Sequence, residues 1–247
     1  MNPTKKIILA LTALAAASAI LAQQTDTNQT ATTDQSTVTT NQTTPPPPAA
    51  PSGGLLGKRY VDLNFGVQDI RHVSKDAYSA GLSGNFPVAP GVDLGAGYSH
   101  SWLNSTATTP RVDTDVVQGT VTLFPPNNTF GNSAKPFVAG GIGYQWDNAT
   151  LSGTPHSFSF TSDDDYALWG LAAGVEIPFG AFSLTPAISY NDDFRNSRKS
   201  VQAYNYGAEA NYWVTDEFAV YAGASYQDVR HSSFDSWNYD AGVRLKF

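Results

Sequence analysis

Residues 237–247, WNYDAGVRLKF, are the stretch that decides the fold. From Trp237 to Phe247 every second residue is apolar, and the residues between them are polar or glycine. Successive side chains of a β-strand point to opposite faces, so this alternation predicts a strand with one apolar and one polar face. A soluble domain seldom ends abruptly on an aromatic, apolar strand. The position of the stretch at the end of the chain therefore argues against a soluble sheet protein.

Four residues of this strand form a recognisable pattern. A polar residue is followed two positions later by glycine and then by two hydrophobic residues, the second a terminal aromatic: Asp240, Gly242, Leu245 and Phe247. The pattern resembles the C-terminal assembly signal of small bacterial outer-membrane β-barrel proteins, the class of OmpA- and OmpX-like membrane domains and of porin-like barrels. The resemblance implies the cell outer membrane of a Gram-negative bacterium as the location, and the barrel assembly machinery as a partner.

Composition narrows the class of protein. The chain has 247 residues and no cysteine, which excludes disulfides, thiol nucleophiles and thiolate metal sites. A mean hydropathy of -0.26, without a long apolar run after the N-terminus, argues against a helical membrane protein. It is compatible with a barrel, in which polar lumen residues alternate with lipid-facing ones. The formal net charge is -7, which makes nucleic acid an improbable partner.

The first 57 residues are predicted to precede the barrel. Lys5 and Lys6 before a short apolar core indicate a signal peptide, residues 1–22, with cleavage after Ala19 or Ala22. Residues 23–57 are rich in Thr, Gln and Pro, and such a composition predicts a disordered linker. The linker is either a plain spacer or a tether that reaches peptidoglycan or another periplasmic partner.

The remaining residues, 58–247, predict an all-β fold, a closed antiparallel transmembrane β-barrel. Segments of about ten alternating residues suit tilted strands that cross a bilayer. Ten such segments are found, and eight is the alternative if two of them are loop extensions. Short turns would face the periplasm and longer polar loops the outside. The segments are 59–69, 77–88, 92–102, 111–124, 136–146, 166–177, 182–190, 201–214, 218–228 and 237–247.

Several charged residues are predicted to face the lumen. A ten-stranded barrel has a narrow interior, so charges inside it must pair with one another or with water. We expect Arg244 to be held by Glu209, Glu176 or Asp62 in a network that closes the lumen. The predicted lumen charge network is Asp62, Asp93, Glu176, Glu209, Asp240, Arg244 and Lys246.

The sequence contains only weak patterns for catalytic or metal sites. A ten-stranded outer-membrane protease family uses paired acids and an Asp-His couple. Asp113 with Asp115 and Asp228 with His231 could imitate that set, but the second spacing is three residues instead of two. His100-Ser101 and His231-Ser232 are neighbours that point to opposite faces, so neither is a dyad. Residues 163–165, three aspartates, are expected to be a solvated loop and not a metal site.

The sequence therefore predicts a non-enzymatic outer-membrane barrel with a structural or surface-interaction role and a narrow, charge-filled lumen. A small channel for ions or solutes is the alternative, and an outer-membrane protease or lipid-modifying enzyme is a weaker one. No cofactor is expected. Outer-membrane lipid and lipopolysaccharide are the expected surroundings, and the protein is expected to be a monomer.

Overall fold

The computed structural model describes residues 54–104, 111–126, 134–151, 160–195, 202–230 and 235–247. Of residues 149–151 and 160–164 it describes the backbone only. The predicted signal peptide and residues 23–53 of the predicted linker lie outside the described residues. Within the described part of the chain, no helix is long and apolar enough to cross a membrane.

Ten strands make up the structure, each built from one of the alternating segments. Their bounds are β1 Tyr60–Ile70, β2 Ala77–Ala89, β3 Val92–Leu103, β4 Arg111–Leu123, β5 Lys135–Leu151, β6 Phe160–Phe179, β7 Phe182–Asp193, β8 Ala203–Trp213, β9 Phe218–Val229 and β10 Ser236–Lys246.

The strands form one closed antiparallel barrel. Each strand pairs with the next one along the chain, and β1 pairs with β10 from Tyr60 opposite Lys246 to Ile70 opposite Ser236. Closure leaves no strand edge without a hydrogen-bonding neighbour, which is what a sheet needs in lipid. The prediction of a closed barrel is confirmed, and so is the count of ten strands in preference to eight.

The two ends of the barrel differ. At one end, here the turn end, lie the first residues of β1, the last of β10 and the tight turns at Gly91 and Gly180, which both have positive φ. The connections that follow β1, β3, β5, β7 and β9 lie at the opposite end, here the loop end, whereas the long connection between Leu123 and Lys135 lies at the turn end. A glycine is required at position 91 of the turn end, because an added Cβ would meet the carbonyl oxygen of Phe124 at less than contact distance.

One hairpin is longer than expected. β5 continues to Leu151 and β6 already begins at Phe160, so the backbone of residues 147–151 and 160–165 is paired strand where a loop was predicted. Alternation of apolar and polar residues identifies only the part of a strand that has an apolar face. Beyond the hydrocarbon layer both faces meet water, and backbone pairing continues without that pattern.

The outer surface is apolar and the interior is polar, the reverse of a soluble protein. Ile142 is 68% exposed on the outside, whereas Gln68, Asn211 and Gln227 are fully buried inside. Exposed Leu, Ile, Val, Phe, Tyr and Trp side chains are found on all ten strands. An exposed apolar surface of this extent is stable where the surrounding medium is hydrocarbon.

The predicted assembly signal ends at the turn end. The Phe247 ring is 66% exposed and lies edge-on to the Phe86 ring with centroids 5.9 Å apart. Its amide donates a hydrogen bond to the carbonyl of Arg59 at 3.3 Å. Leu245 points outward, while Asp240 is half-buried.

We expect deletion of Phe247 to reduce the amount of heat-modifiable barrel in the outer membrane, because both the terminal aromatic and its contact across the β1–β10 seam are lost. The measurement is the shift between boiled and unboiled protein in gel electrophoresis. Phe179→Ala removes another exposed ring at the turn end and is the matched control. Equal amounts of folded barrel in the deletion and the control would contradict the assignment of the signal.

Candidate functional site: the lumen and its plug

Arg244 lies at the centre of a buried charge layer. Its side chain is fully buried and comes from β10. Nη1 and Nη2 donate to the two carboxylate oxygens of Glu209 on β8 at 2.7 and 2.8 Å, a bidentate pair. Nε donates to Asp62 on β1 at 3.4 Å, and Nη1 also donates to Asn211. Bidentate pairing of this kind is the strongest geometry for an arginine and a carboxylate.

Two tyrosine rings complete the layer. The Arg244 guanidinium lies 3.9 Å from the centroid of Tyr221 and 5.5 Å from that of Tyr60, so its faces meet π-systems while its edges meet acids. Gly242 makes room for this stack. A Cβ at Gly242 would approach a Tyr221 ring carbon at 2.7 Å and also clash with the Leu63 carbonyl. The glycine of the assembly pattern thus has a packing role inside the barrel.

The carboxylates of the layer are held by further donors. Ser83 donates to Asp62 at 2.9 Å, and Asn211 donates to Glu209 at 2.8 Å. Buried charges are tolerated when their remaining hydrogen-bonding capacity is filled in this way. The layer therefore joins side chains of β1, β2, β8, β9 and β10.

The chain segment before β1 folds back into the lumen. Leu55 and Leu56 are fully buried, and Lys58 closes a turn by donating to the Leu55 carbonyl at 3.2 Å. Gly57 has φ +84°, which residues with a Cβ rarely adopt. We call residues 54–58 the plug. The predicted linker, residues 23–57, is thus corrected at its last four residues, because two adjacent leucines gain too much from burial to remain in water.

Two lumen acids bind the backbone of the plug. Glu176 accepts hydrogen bonds from the amides of Leu55 and Leu56, the latter at 3.4 Å. Asp93 accepts one from the Gly57 amide at 3.1 Å. Backbone amides that lack a strand partner need acceptors when they are buried. The carboxylates thus stabilise the turn together with the Asn85 side chain on β2, which donates to the Lys58 carbonyl at 3.1 Å.

The two leucines enter separate apolar sites. Leu55 packs with Tyr60, Trp213 and Ala219, and the Lys58 ammonium lies 5.0 Å from the Trp213 ring centroid. Leu56 packs with Phe124, Phe137 and Ala187. Both sites are inside the turn end, where the other inward residues are largely polar. The plug is thus packed against inward side chains near the turn end.

The residues of the predicted charge network fall into those that bind Arg244, those that bind the plug and two that do neither. Two of the three candidate partners, Glu209 and Asp62, bind Arg244, while Asp93 and Glu176 bind the plug. Asp240 is half-buried and lies over Gly223, beside the Arg244 layer. Lys246 is half-buried at the rim of β10, and no described residue forms a hydrogen bond or ion pair with its side chain.

A second polar cluster lies toward the loop end. Asp147 accepts hydrogen bonds from Thr114 at 2.8 Å and from Gln145 at 2.6 Å, and Gln145 also donates to Tyr166 at 2.9 Å. Arg195 binds Asp193 at 2.7 Å and lies 3.5 Å over the Tyr166 ring. This cluster was not predicted. Alternating polar residues mark the inward face but do not say which of them meet.

Of the residues considered for catalysis, Asp113, Asp115 and His100 lie on the outer surface. Asp113 is bound by Arg111 on its own strand at 2.8 Å. Asp115 accepts from Tyr98 at 2.6 Å and lies 2.9 Å from Nδ1 of His100. Ser101 is buried in the lumen while His100 faces outward, as predicted for neighbours in a strand. His156, His231 and Ser232, and the side chains of Asp163 and Asp164, lie outside the described residues.

Among the residues whose side chains are described, no group of three or more His, Cys, Asp or Glu could hold a metal ion.

The plug is the functional element that sequence reasoning missed. Its signal was present: Leu55-Leu56 is a pair of large apolar residues, directly before β1, in a linker otherwise almost free of them. A glycine then follows, which is typical of a turn.

In comparisons with known proteins, the fold of this chain is similar to those of several solved structures. No protein-family profile matches the chain, and no curated protein matches it significantly. One similar solved structure is Neisserial surface protein A, at 16% identity over 76% of this chain and 96% of that one, with a TM-score of 0.40. The translocator domain of the autotransporter NalP from Neisseria meningitidis has 10% identity over 77% and 88%, with a TM-score of 0.48.

A third similar structure is the outer membrane protease OmpT from Escherichia coli, at 11% identity over 77% of this chain and 97% of that one, with a TM-score of 0.40. At these identities and TM-scores the likenesses carry no argument about activity, substrate or partner. The class follows from the structure itself. A closed ring of ten antiparallel strands with an apolar outside and a polar inside is the architecture of a transmembrane β-barrel, the fold that the last strand predicts.

Proposed function

We propose that the protein is a structural or surface-interaction protein of the outer membrane whose barrel does not conduct in its resting state, and that it is not an enzyme. The observation that carries the proposal is two sets of contacts inside the barrel, and on this proposal each set closes the lumen. The plug occupies the turn end, and the Arg244 layer lies above it. A path for ions would have to break both sets of contacts.

The surroundings follow from the same proposal. The chain is exported by its signal peptide, and the turn end faces the periplasm. The predicted linker then acts as a spacer or as a tether to peptidoglycan or a periplasmic protein. The loop end faces outward, where a surface partner would bind. Lipopolysaccharide and outer-membrane lipid surround a monomer.

Support for a non-enzymatic role comes from how the acids are used. Asp113 and Asp115 are each engaged by neighbouring side chains on the outer surface. A protease would need them to activate a water above the membrane. Unchanged peptide substrates after incubation with the reconstituted protein are expected. Cleavage that Asp113→Ala abolishes would overturn this part of the proposal.

Single-channel recording tests the closed lumen. The full mature chain in planar bilayers is expected to be silent, whereas a variant that combines Arg244→Ala with Leu55→Ala and Leu56→Ala is expected to show current steps, because both closures are weakened. Lys246→Ala, which alters a charge outside both closures, is the matched control and should stay silent. Steady current through the unaltered protein would make it a channel.

A channel for small cations is the second candidate, and one observation favours it. The inward side chains of Thr120, Thr122 and Thr185 and both polar atoms of Asn191 are buried without a hydrogen-bond partner in the described part of the chain. Groups of this kind are normally satisfied by water. Acids outnumber bases in the predicted lumen network, so an open lumen would favour cations over anions.

A further inference from the structure

A cavity opens on the outer surface where β9, β10 and β1 approach the loop end. Its volume is about 390 Å³, and its lining is Asp69, Arg71, Tyr226, Asp235, Ser236 and Trp237. This volume lies within the range of small-molecule sites in proteins. The cavity is separate from the lumen, because its rings and its acid Asp69 are on the outward face.

The strand register fixes the floor of this cavity. Tyr226 is directly opposite Trp237 on the neighbouring strand, and Trp237 is directly opposite Asp69 on the other side. The two rings lie 5.4 Å apart between centroids at an angle of 56°. Three neighbouring strands thus present a tyrosine, a tryptophan and a carboxylate in one row, all at the level where a membrane meets water.

Above the row lies a pair of opposite charges. Arg71 Nη1 is 3.9 Å from Asp235 Oδ2, and the Arg71 amide donates to the Asp235 carbonyl at 2.9 Å, which holds the two residues together. In contrast, no described residue gives the Asp69 carboxylate a hydrogen bond or an ion pair. Acceptor capacity therefore remains beside the exposed Trp237 ring.

We propose that this cavity binds an uncharged sugar ring. The apolar face of a pyranose stacks on aromatic rings, while its hydroxyls need both acceptors, such as Asp69, and donors, such as Arg71. Two carboxylates would repel a phosphate group, and the Arg71–Asp235 pair offers both donors and acceptors to hydroxyl groups. Aromatic rings with groups of both signs therefore favour a neutral, hydroxyl-rich ligand. The inference deepens the proposed surface-interaction role and rests on it.

The chain contains a matched control site. Trp146 is 42% exposed, close to the 48% of Trp237, and lies 5.0 Å from the Tyr144 ring. It is also flanked in register by two acids, Asp115 and Asp165. Both of these carboxylates already accept hydrogen bonds, from Tyr98 and Tyr144 respectively. Trp146 thus has the aromatic pair and the acids without a free acceptor.

Fluorine NMR can test the proposal on the full mature chain labelled with 5-fluorotryptophan. Resonances are assigned with Trp237→Phe and Trp146→Phe. Titration with maltose, the neutral sugar probe, is expected to shift the Trp237 resonance to saturation at millimolar concentration and to leave Trp146 in place. Asp69→Asn should weaken binding about tenfold or more, the loss expected for one hydrogen bond to a charged group. No shift, or equal shifts of both resonances, would overturn the proposal.

Two sources could supply such a sugar, a free glycan or the headgroup of a glycolipid in the same membrane. Nanodiscs of phosphatidylcholine are compared with nanodiscs that also contain lipopolysaccharide. A Trp237 shift caused by lipopolysaccharide and reversed by maltose would identify the glycolipid, and a shift with maltose alone the free glycan. The absence of both would refute the site. A conducting wild-type barrel would refute the closed lumen instead, so the two failures are distinguishable.

Discussion

Arg244→Ala is expected to lower the free energy of unfolding of the barrel by about 3 to 5 kcal/mol, the cost typical of removing one partner from a buried ion pair. The substitution leaves Glu209 and Asp62 buried without their cation and removes a guanidinium that packs on Tyr221. The measurement is equilibrium unfolding in urea, in lipid vesicles, with the shift in the midpoint read at constant slope.

Two variants make this result interpretable. Lys246→Ala removes a positive charge two residues further along the same strand face, outside the network, and should change stability by less than about 0.5 kcal/mol. Arg244→Met combined with Glu209→Gln and Asp62→Asn removes the charges together and should recover most of the loss, because no uncompensated charge stays buried. If Arg244→Ala were as stable as Lys246→Ala, the layer would not hold the barrel together.

Leu55→Ala with Leu56→Ala is expected to release the plug. Each truncation of a fully buried leucine costs about 2 kcal/mol or more, so the pair should raise the population of the undocked segment at least about a hundredfold. Trypsin reports the release directly. Residues 23–57 contain no lysine or arginine, so Lys58 and Arg59 are the first cleavage sites after the predicted leader.

The release of the peptide that ends at Lys58 or Arg59 is followed by mass spectrometry. Cleavage should be slow in the unaltered protein, since a protease needs an extended segment, and fast in the double variant. Leu63→Ala with Leu82→Ala truncates two exposed leucines on the outer face and should leave the rate unchanged. Rapid cleavage of the unaltered chain would show that the plug is not docked in solution.

Much of the fold could be predicted because one periodic signal runs through the chain. A strand that separates lipid from a polar lumen must alternate, so Leu63 and Asp62, or Leu245 and Arg244, are assigned to opposite faces by sequence alone. The same rule placed Asp62, Glu209 and Arg244 together inside. A narrow lumen then left them few partners except one another.

What could not be predicted depends on contacts between distant segments. Nothing local in Glu176 distinguishes an acid that binds arginine from one that binds the amides of Leu55 and Leu56, 121 and 120 residues away in sequence. The cavity at Trp237 likewise depends on which strand follows β10 around the ring. That neighbour is β1, and only the closed register brings Asp69 beside the ring of Trp237.

The charge layer also bears on the order in which the chain is completed. Asp62 comes from the first strand and Glu209 from the eighth, but their shared cation is delivered by the last. Until β10 is inserted, both acids lack the neutralising group, and a ring closed prematurely by another strand would trap them inside. Final closure is thus the step that pairs the two buried acids with their cation, and a ring closed without β10 would carry the electrostatic cost of both acids.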